Sequence, residues 1–403
     1  MTGVVQTHKR AETDLYILWL PSWYPNKYEP FNGDFVQRHA RAAALHCSIV
    51  VCHFPQLGHK VRVDTSYSET TQSPNLKEVV HYIAFKPYGN SLFDKIRYNI
   101  TYYRSTSKYL KEYFKTFGLP ELVHVHVPMK AGNLAVWIKK KFKVNYILSE
   151  HASFYSDPAN DNNMNRNIFH ARQVKNIFRK ASAVTNVSDS IGNILRSLFT
   201  LKKVHVIYNV VDTTIFNLAA TKPNTFTFIH VSTLIDQKNI EGILKVFRDL
   251  LKIDKNWTLK LVGPPNDIMQ QRLLEYNLTN NVELAGEVQY TEVGRYMKEA
   301  HALVMFSRHE NFPCVIIEAL CCGLPVISSD VGGIKEAIDN SNGILVSSEN
   351  EVELLNAIQQ MRKSYAAYDL PRISEEASNK YNYSNIGRQI CNLYNNICAE
   401  KVR

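Results

Sequence analysis

The residues best suited to chemistry lie in one segment, Ser307–Leu320, where a polar turn separates a buried strand from a helix. Glu310 precedes this helix and Glu318 lies near its second turn, so at a rise of about 1.5 Å per residue the two carboxylates can sit roughly 10 Å apart. The unpaired N–H groups at the helix start, Phe312–Val315, lie between them at the positive end of the helix dipole. This arrangement suits a nucleotide-sugar, with sugar hydroxyls on one glutamate, the diphosphate on the amides and ribose hydroxyls on the other glutamate.

Two glutamates eight positions apart are weak evidence alone, because such a pair often occurs by chance on a surface. The residues around them strengthen the prediction of a binding site. Pro313 is tolerated in a first helical turn, where its missing N–H would be unpaired anyway. The run Gly323–Ile327 predicts another buried strand, and Gly332–Gly333 permits a second close approach of the backbone. We therefore expect a strand, a turn and a helix that together present a binding site.

Short β-branched runs alternate with helical patterns along the whole chain, which predicts an α/β fold built from doubly wound, Rossmann-like domains. The first strand lacks the G-x-G-x-x-G pattern after it, which disfavours an ordinary dinucleotide dehydrogenase. An irregular segment, Asn209–Pro223, is the predicted linker between two such domains. The predicted strands are Leu15–Leu20, Ser48–His53, Leu122–Val127, Asn145–Leu148, Ala183–Val187, Thr227–Val231, Thr258–Val262, Val282–Leu284, Ala302–Phe306, Pro325–Ser328 and Gly343–Val346.

Length and composition exclude several classes of protein. The chain has 403 residues, of which 45% are hydrophobic and 21% charged, so it is neither disordered nor of low complexity. Its seven cysteines are odd in number and form no C-x-x-C pair, which predicts reduced, mostly buried thiols in a cytosolic compartment, with neither a disulfide framework nor a zinc site. The N-terminus has no apolar core of the kind found in signal peptides.

The positive charge is concentrated in the first half of the chain. Residues 1–205 hold 28 Lys and Arg against 14 Asp and Glu, whereas residues 206–403 hold 19 against 23. The densest part, Asp94–Phe117, predicts a basic amphipathic helix that suits an anionic membrane surface. An ordinary surface helix that packs its apolar stripe on the domain explains the pattern equally well. Nucleic acid is disfavoured, because no zinc-finger, RRM or KH signature accompanies the charge.

The segment from Ser307 to Ile327 resembles the donor-site signature of the retaining GT-B glycosyltransferases of glycosyltransferase family 4. In that family a lysine shortly after a strand of the second domain binds the donor diphosphate, and Lys238 stands at that place. The family usually has an arginine five residues earlier, where this chain has Thr233; Arg308 either compensates or is a solvated turn residue. The resemblance also implies that Gly263 and Val288 lie in loops beside the nucleotide.

The resemblance extends to the first domain, which binds the acceptor in such enzymes. Gly33 and Asp34 resemble a glycine-bearing loop beneath the donor phosphate, although an aspartate there is more often a helix N-cap. His126 ends a strand and resembles the histidine that approaches the reacting sugar, with a hydrogen-bonded structural histidine as the alternative. Glu150 and His151 resemble a Glu-His pair of the family, in acceptor contact or in support.

Taken as implied by the resemblance, the chain is a retaining hexosyl- or N-acetylhexosaminyl-transferase that moves a sugar from a nucleotide-diphosphate sugar to a glycan or lipid-linked acceptor in surface-polysaccharide synthesis. A nucleotide-sugar epimerase and a non-catalytic partner subunit are the alternatives. No metal or other cofactor is expected, because no Asp-x-Asp motif is present. The expected location is cytoplasmic, peripheral on the inner face of the membrane, and the domains are expected to span 1–210 with the C-terminal helix 381–403, and 211–380. The expected site residues are His126, Glu310 and Lys238 for catalysis, Gly33, Gly263, Val288, Asn311, Phe312, Pro313 and Glu318 for the donor, and Asp34, Glu150 and His151 on the acceptor side.

Overall fold

Eight strands from the first half of the chain form one sheet of the computed structural model, which describes residues 15–151, 168–219, 221–264 and 267–400. The strand order is β3-β4-β2-β1-β5-β6-β7-β8, and every neighbouring pair is parallel except β3 and β4. These strands are β1 (Tyr16–Pro21), β2 (Ser48–His53), β3 (Tyr67–Ser73), β4 (Leu76–Tyr82), β5 (Leu122–His126), β6 (Asn145–Glu150), β7 (Val184–Asn186) and β8 (Val204–Val206). The accompanying helices are α1 (Asp34–Ala43), α2 (Ser91–Phe117), α3 (Met129–Phe142), α4 (Ile168–Lys180) and α5 (Asp189–Leu198).

Six strands from the second half form a second sheet, which is parallel throughout and has the order β11-β10-β9-β12-β13-β14. The strands are β9 (Phe226–Val231), β10 (Trp257–Val262), β11 (Val282–Gly286), β12 (Ala302–Met305), β13 (Val326–Ser329) and β14 (Gly343–Val346). The helices are α6 (Ile240–Ile253), α7 (Asp267–Glu275), α8 (Tyr290–Lys298), α9 (Cys314–Cys321), α10 (Glu351–Ser364), α11 (Leu370–Tyr381) and α12 (Tyr383–Ala399). Two sheets, one parallel throughout and one parallel except at β3, with helices between their strands, confirm the predicted α/β fold of two Rossmann-like units.

The predicted C-terminal helix, 381–403, corresponds to α12, which begins two residues later, at Tyr383, because α11 ends at Tyr381. The intervening Asn382 is extended, and its side chain caps α12 by accepting a hydrogen bond from the N–H of Asn385. Ile386 and Ile390 of α12 are buried in one apolar cluster with residues of α1. The last helix therefore returns to the first sheet, as expected; residues 401–403 of the expected helix and the N-terminal residues 1–14 lie outside the described residues.

The prediction that all cysteines are reduced is wrong for two of them. Cys47, which precedes β2, forms a disulfide with Cys391 of α12 across a separation of 344 residues. Sequence spacing gives no signal for a pair so far apart, and the two meet only because α12 folds back onto α1. Among the described residues, Cys52, Cys314, Cys321 and Cys322 are free thiols.

Helix α2 has one face in the core and a second apolar face in solvent. Leu110 and Phe114 are buried, as an amphipathic helix requires. Ile96 and Ile100, in the first turns of the same helix, are 55% and 47% exposed. No helix in the described part of the chain is long and apolar enough to cross a membrane.

Candidate functional site

The predicted donor and acceptor residues converge on one cleft of about 590 Å³ at the carboxyl ends of the two sheets. Ligands of open α/β sheets bind at this edge of the strands. The first half of the chain contributes Asp34 and His151 to the walls. The second half contributes Lys238, Gly263, Val288, Glu310, Asn311, Phe312, Pro313 and Glu318.

Lys238 meets Glu310 because two neighbouring turns are hydrogen-bonded together. A short 3₁₀ turn, Asp236–Lys238, follows β9. Within it the Gln237 side-chain amide donates to the His309 carbonyl at 2.7 Å, and the Gln237 carbonyl accepts the Arg308 N–H at 2.8 Å. As a result the Lys238 Nζ lies 2.5 Å from Glu310 Oε1, in a pair of which both side chains are largely buried.

The turn before α9 is held by residues of the first half. The Asn311 side chain donates to the carbonyl of His151 at 2.9 Å, and the Asn209 side chain donates to the carbonyl of Phe312 at 2.7 Å. Pro313 is the N-cap residue of α9, one position before the first helical turn that the sequence analysis assigned to it. Pro313, Cys314 and Val315, at the start of α9, line the cleft, and the first N–H groups of a helix have no partner within the helix.

The glycines at 332 and 333 serve the same turn. Gly332 has a left-handed φ of 58°, and a Cβ on it would lie 1.9 Å from the Glu310 carbonyl oxygen. The N–H of Gly333 donates to the carbonyl of Asn311 at 2.8 Å. The close backbone approach expected at this pair therefore supports the Glu310–Asn311 segment.

Glu318 lies at an interface between the two halves of the chain. It is 4% exposed, and its Oε1 accepts a hydrogen bond from the Tyr290 hydroxyl at 2.7 Å. A guanidinium nitrogen of Arg38, in α1, lies 3.7 Å from the same oxygen. Burial raises the pKa of Glu318, and the positive charge of Arg38 opposes that shift.

Gly33 and Asp34 are placed at the start of α1. Gly33 is the N-cap residue, with a left-handed φ of 70°, and a Cβ on it would lie 2.4 Å from the Trp23 carbonyl carbon. Asp34 is the first residue of the helix, so its N-cap alternative is wrong; it accepts hydrogen bonds from the Phe35 N–H at 2.7 Å and the Arg38 guanidinium at 2.6 Å. Gly33 supports the cleft, and Asp34 lines it.

The two predicted histidines form two layers. His126 is 1% exposed, its ring lies 4.1 Å from that of Trp19, and its Nδ1 is 3.2 Å from Nε2 of His151. His151 lines the cleft, whereas His126 lies beneath it. Burial holds the pKa of His126 well below its usual value and lowers that of His151 to about 3, so both rings are neutral at neutral pH. Glu150 is buried beside them and accepts the N–H of His151 at 2.9 Å.

Sequence reasoning missed Arg38 and Tyr290, which contact Glu318, although Arg38 lies one helical turn after the predicted Asp34. It also left open whether Arg308 replaces the cation missing at Thr233. Arg308 is bound instead to Asp236 and Glu349, so it is a turn residue outside the cleft wall. Among the described residues, no group of three or more His, Cys, Asp or Glu side chains is arranged to hold a metal ion.

Two family profiles match consecutive parts of the chain. Residues 43–215 match the family described as Glycosyltransferase Family 4, and residues 212–380 match that described as Glycosyl transferases group 1. Together the two matched ranges include strands of both sheets and residues from both halves of the chain that line the cleft.

Relatives and solved structures agree with these matches. An uncharacterized glycosyltransferase of Methanocaldococcus jannaschii is 26% identical over 268 residues, covering 65% of this chain and 71% of that protein. A candidate teichuronic acid biosynthesis glycosyltransferase of Bacillus subtilis, TuaC, is 22% identical over 378 residues, covering 88% of this chain and 92% of that protein. The crystal structure of HepE of Anabaena in complex with UDP and glucose superposes with a TM-score of 0.69 at 18% identity, over 95% of this chain and 100% of that chain. At that identity the superposition shows a shared fold.

Proposed function

We propose, from the premise that this chain is a glycosyltransferase of the GT-B type similar to family 4, that it transfers a hexosyl or N-acetylhexosaminyl unit from a nucleotide-diphosphate sugar with retention of anomeric configuration. The observation that carries the proposal is the convergence of an ammonium group, a helix N-terminus and two carboxylates on one cleft. HepE, which shares the fold, has been crystallised in complex with UDP and glucose. A donor of this class supplies one partner for each of these groups.

In the proposed binding mode, the donor diphosphate lies against the first N–H groups of α9 and Lys238 Nζ. These groups neutralise charge that builds on the leaving phosphate, and fixed donors in a water-poor cleft do so at little cost in reorganisation. Glu318 accepts hydrogen bonds from the ribose hydroxyls, and Glu310 orients the transferred sugar. No metal ion is required by this scheme, because cationic and amide groups already face the diphosphate.

In the proposed reaction, the bond between the anomeric carbon and the diphosphate oxygen breaks, and an acceptor hydroxyl oxygen forms the new bond to that carbon. The hydroxyl proton is released with the nucleoside diphosphate, so atoms and charge balance. In this scheme the acceptor hydroxyl approaches past His151 and Asp34, which line the cleft, and His126 positions the His151 ring through the contact between the two rings. Exclusion of water from the closed cleft limits hydrolysis of the donor.

The acceptor in this proposal is a glycan or lipid-linked glycan of cell-surface polysaccharide synthesis. The match to TuaC over 92% of that protein supports the assignment, as does the positive charge of the first half of the chain. The exposed apolar residues in the first turns of α2, beside Lys95, provide a face for peripheral contact with an anionic cytoplasmic membrane surface.

Thermal denaturation in the presence of UDP-, GDP- and ADP-sugars tests the donor class, because a ligand that binds the native state raises its melting temperature. The donor that raises it most is then incubated with the protein, with and without lipid-linked acceptors. Release of nucleoside diphosphate that depends on acceptor supports the proposal. An isomer of the donor formed without acceptor would identify an epimerase, and binding without release under every acceptor would identify a partner subunit.

A further inference from the structure

The proposed donor site receives one cation, Lys238, from the second half of the chain. Thr233, five residues earlier, also lines the cleft and carries no charge. Arg308 is held outside the cleft wall by Asp236 and Glu349, as described above. The lysine and arginine side chains among the described residues that line the cleft are Lys238 and Arg38.

Arg38 enters this cleft from the first half of the chain, on α1. Its side chain is 7% exposed, and its guanidinium carbon lies 4.4 Å from the centre of the Tyr290 ring. One terminal nitrogen contacts Asp34 at 2.6 Å, and the other lies 3.7 Å from Glu318. The remaining donor, Nε, is buried and has no hydrogen-bond partner in the described part of the chain.

An unpartnered guanidinium N–H in a buried place costs free energy unless a ligand supplies the acceptor. Its surroundings indicate which ligand fits. Arg38 lies beside Glu318, the proposed ribose contact, and its charge lowers the pKa of Cys314, the first residue of α9, against the dominant effect of burial. A group between a ribose contact and a helix N-terminus lies where a nucleoside diphosphate carries its phosphates.

We propose that Arg38 binds the diphosphate of the donor as the second cation of the site, so that the first half of the chain completes the donor site. This inference rests on the proposed function. A guanidinium offers two parallel N–H groups to a phosphate, which a lysine cannot do. The stacking on Tyr290 and the bond to Asp34 hold the guanidinium plane in place before the donor arrives.

Arg38 also links donor binding to the position of the two halves. In the free chain its charge is shared by Asp34 and Glu318, one carboxylate from each half. A bound diphosphate adds a third anion at the same guanidinium while Glu318 receives the ribose hydroxyls. The donor therefore strengthens the contact between the halves.

The test compares Arg38→Gln with Arg41→Gln, a substitution at an exposed arginine of the same helix. Isothermal titration measures the affinity for UDP, GDP and ADP, and for the nucleoside that matches the tightest of them. We expect Arg38→Gln to weaken diphosphate binding by roughly 10- to 100-fold, the value of a charged hydrogen bond, and nucleoside binding by less than about twofold. Arg41→Gln should change neither, and Arg38→Lys, which keeps the charge but loses the paired N–H groups, should fall between wild type and Arg38→Gln.

Equal loss of diphosphate and nucleoside affinity in Arg38→Gln would overturn the inference, because it would show that Arg38 only shapes the cleft. Unchanged diphosphate affinity would overturn it while leaving the proposed function in place. If Arg38→Gln does not fold, the diphosphate affinity of Arg38→Lys is the test. Wild-type diphosphate affinity in Arg38→Lys would then overturn the inference. Failure of the wild-type protein to bind any of the three diphosphates would overturn the proposed function as well.

Discussion

Lys238 Nζ and Glu310 Oε1 lie 2.5 Å apart although 72 residues separate them in the chain. The lysine is the proposed contact of the donor diphosphate and the glutamate that of its sugar, so the free site holds its two charged groups against each other. A diphosphate that binds the Lys238 ammonium group must replace Glu310 as its partner. The ion pair therefore keeps Lys238 positioned and its charge neutralised until the donor binds.

Variants at the two members of this pair are expected to change nucleotide affinity in opposite directions. Lys238→Ala removes a charged hydrogen bond to the diphosphate and should weaken binding of nucleoside diphosphate by roughly 10- to 100-fold. Glu310→Gln removes the competing carboxylate and should strengthen the same binding by about two- to tenfold while lowering sugar transfer. Isothermal titration and a transfer assay measure the two effects.

The matched control for these variants is Lys245→Ala, since Lys245, on α6, pairs with Glu351, on α10, and neither lines the cleft. It should bind nucleoside diphosphate like the wild type. Glu318→Ala, in contrast, should lose donor binding because it removes the ribose contact. Wild-type turnover of both Lys238→Ala and Glu318→Ala at limiting donor would show that the site is assigned to the wrong residues.

His151 and His126 are expected to act as a unit in turnover. His151→Ala removes a side chain of the cleft wall, and His126→Ala removes the ring that positions it, so each should lower kcat more than donor affinity. Because the rings are in contact, the double variant should lose less than the two single losses combined. Steady-state kinetics of the two single variants and the double variant measure these losses. An unchanged kcat in His126→Ala would show that His126 has only a structural role.

Much of the fold could be predicted because its strands are short, apolar and buried. β1 and β12, for example, are buried at every position, and runs of this kind are typical of parallel sheets covered on both sides. β3 was missed because it is polar and almost wholly exposed at the sheet edge. β8 was missed because it has only three residues and none of them is buried, whereas the equally short β7 is buried throughout.

The part of the site that could be predicted is the part whose residues lie close together in the sequence. Glu310, the start of α9 and Glu318 follow one another along nine residues, so helix geometry alone relates them. Arg38 could not be found in the same way, because it reaches Glu318 from the other half of the chain. The inward position of His126 was hidden for a similar reason, since strand alternation gives the face of a sheet but not what lies above it.

Acid should destabilise the fold through its buried histidines. Burial lowers the pKa of His53 and His230 to about 4 and that of His151 to about 3, whereas an unfolded histidine titrates near 6.5. The unfolded state therefore binds more protons below about pH 6.5, so stability is full above that pH and is lost as the pH falls towards 4, by up to about 1.4 kcal/mol per pH unit for each histidine.

Melting temperatures measured between neutral pH and pH 5 test this expectation. His53→Gln should make the decline with acid shallower, since one buried titrating group is removed. His46→Gln, at an exposed histidine, should leave the decline unchanged. A melting temperature that stays constant over this range would contradict the argument.

The Cys47–Cys391 disulfide should stabilise the attachment of α12 to the first sheet. It closes a loop of 344 residues, and a cross-link over a long loop removes much of the entropy of the unfolded chain. The double variant Cys47→Ala/Cys391→Ala is expected to lose about 2–5 kcal/mol of unfolding free energy, measured by urea denaturation. A reductant should lower the stability of the wild type towards that of the variant and leave the variant unchanged; equal stability of both proteins without reductant would show that the bond contributes nothing.

The exposed apolar face of α2 should bind anionic membranes. Leu92, Phe93 and Ile96 are 71%, 54% and 55% exposed. These side chains can therefore enter the acyl chains of a membrane while the protein stays folded. Lys95 is exposed next to them, and Lys111 and Lys115 are exposed farther along the helix, where Glu112 pairs with Lys108. Asp94 is buried and paired with Arg97, so the helix keeps a net positive charge. We expect the protein to sediment with vesicles that contain phosphatidylglycerol and to stay in solution with phosphatidylcholine alone.

The apolar contribution to this binding can be separated from the charge. Leu92→Ser/Ile96→Ser should weaken vesicle binding by roughly tenfold or more, because two large side chains no longer enter the bilayer, while nucleotide affinity is retained. Val352→Ser is the matched control, since Val352 is 71% exposed on α10 in the other half of the chain. High salt should release the wild type, because the attraction of the lysines is screened within a Debye length. Binding of the double Ser variant as tight as that of Val352→Ser would show that the apolar residues of α2 do not enter the membrane.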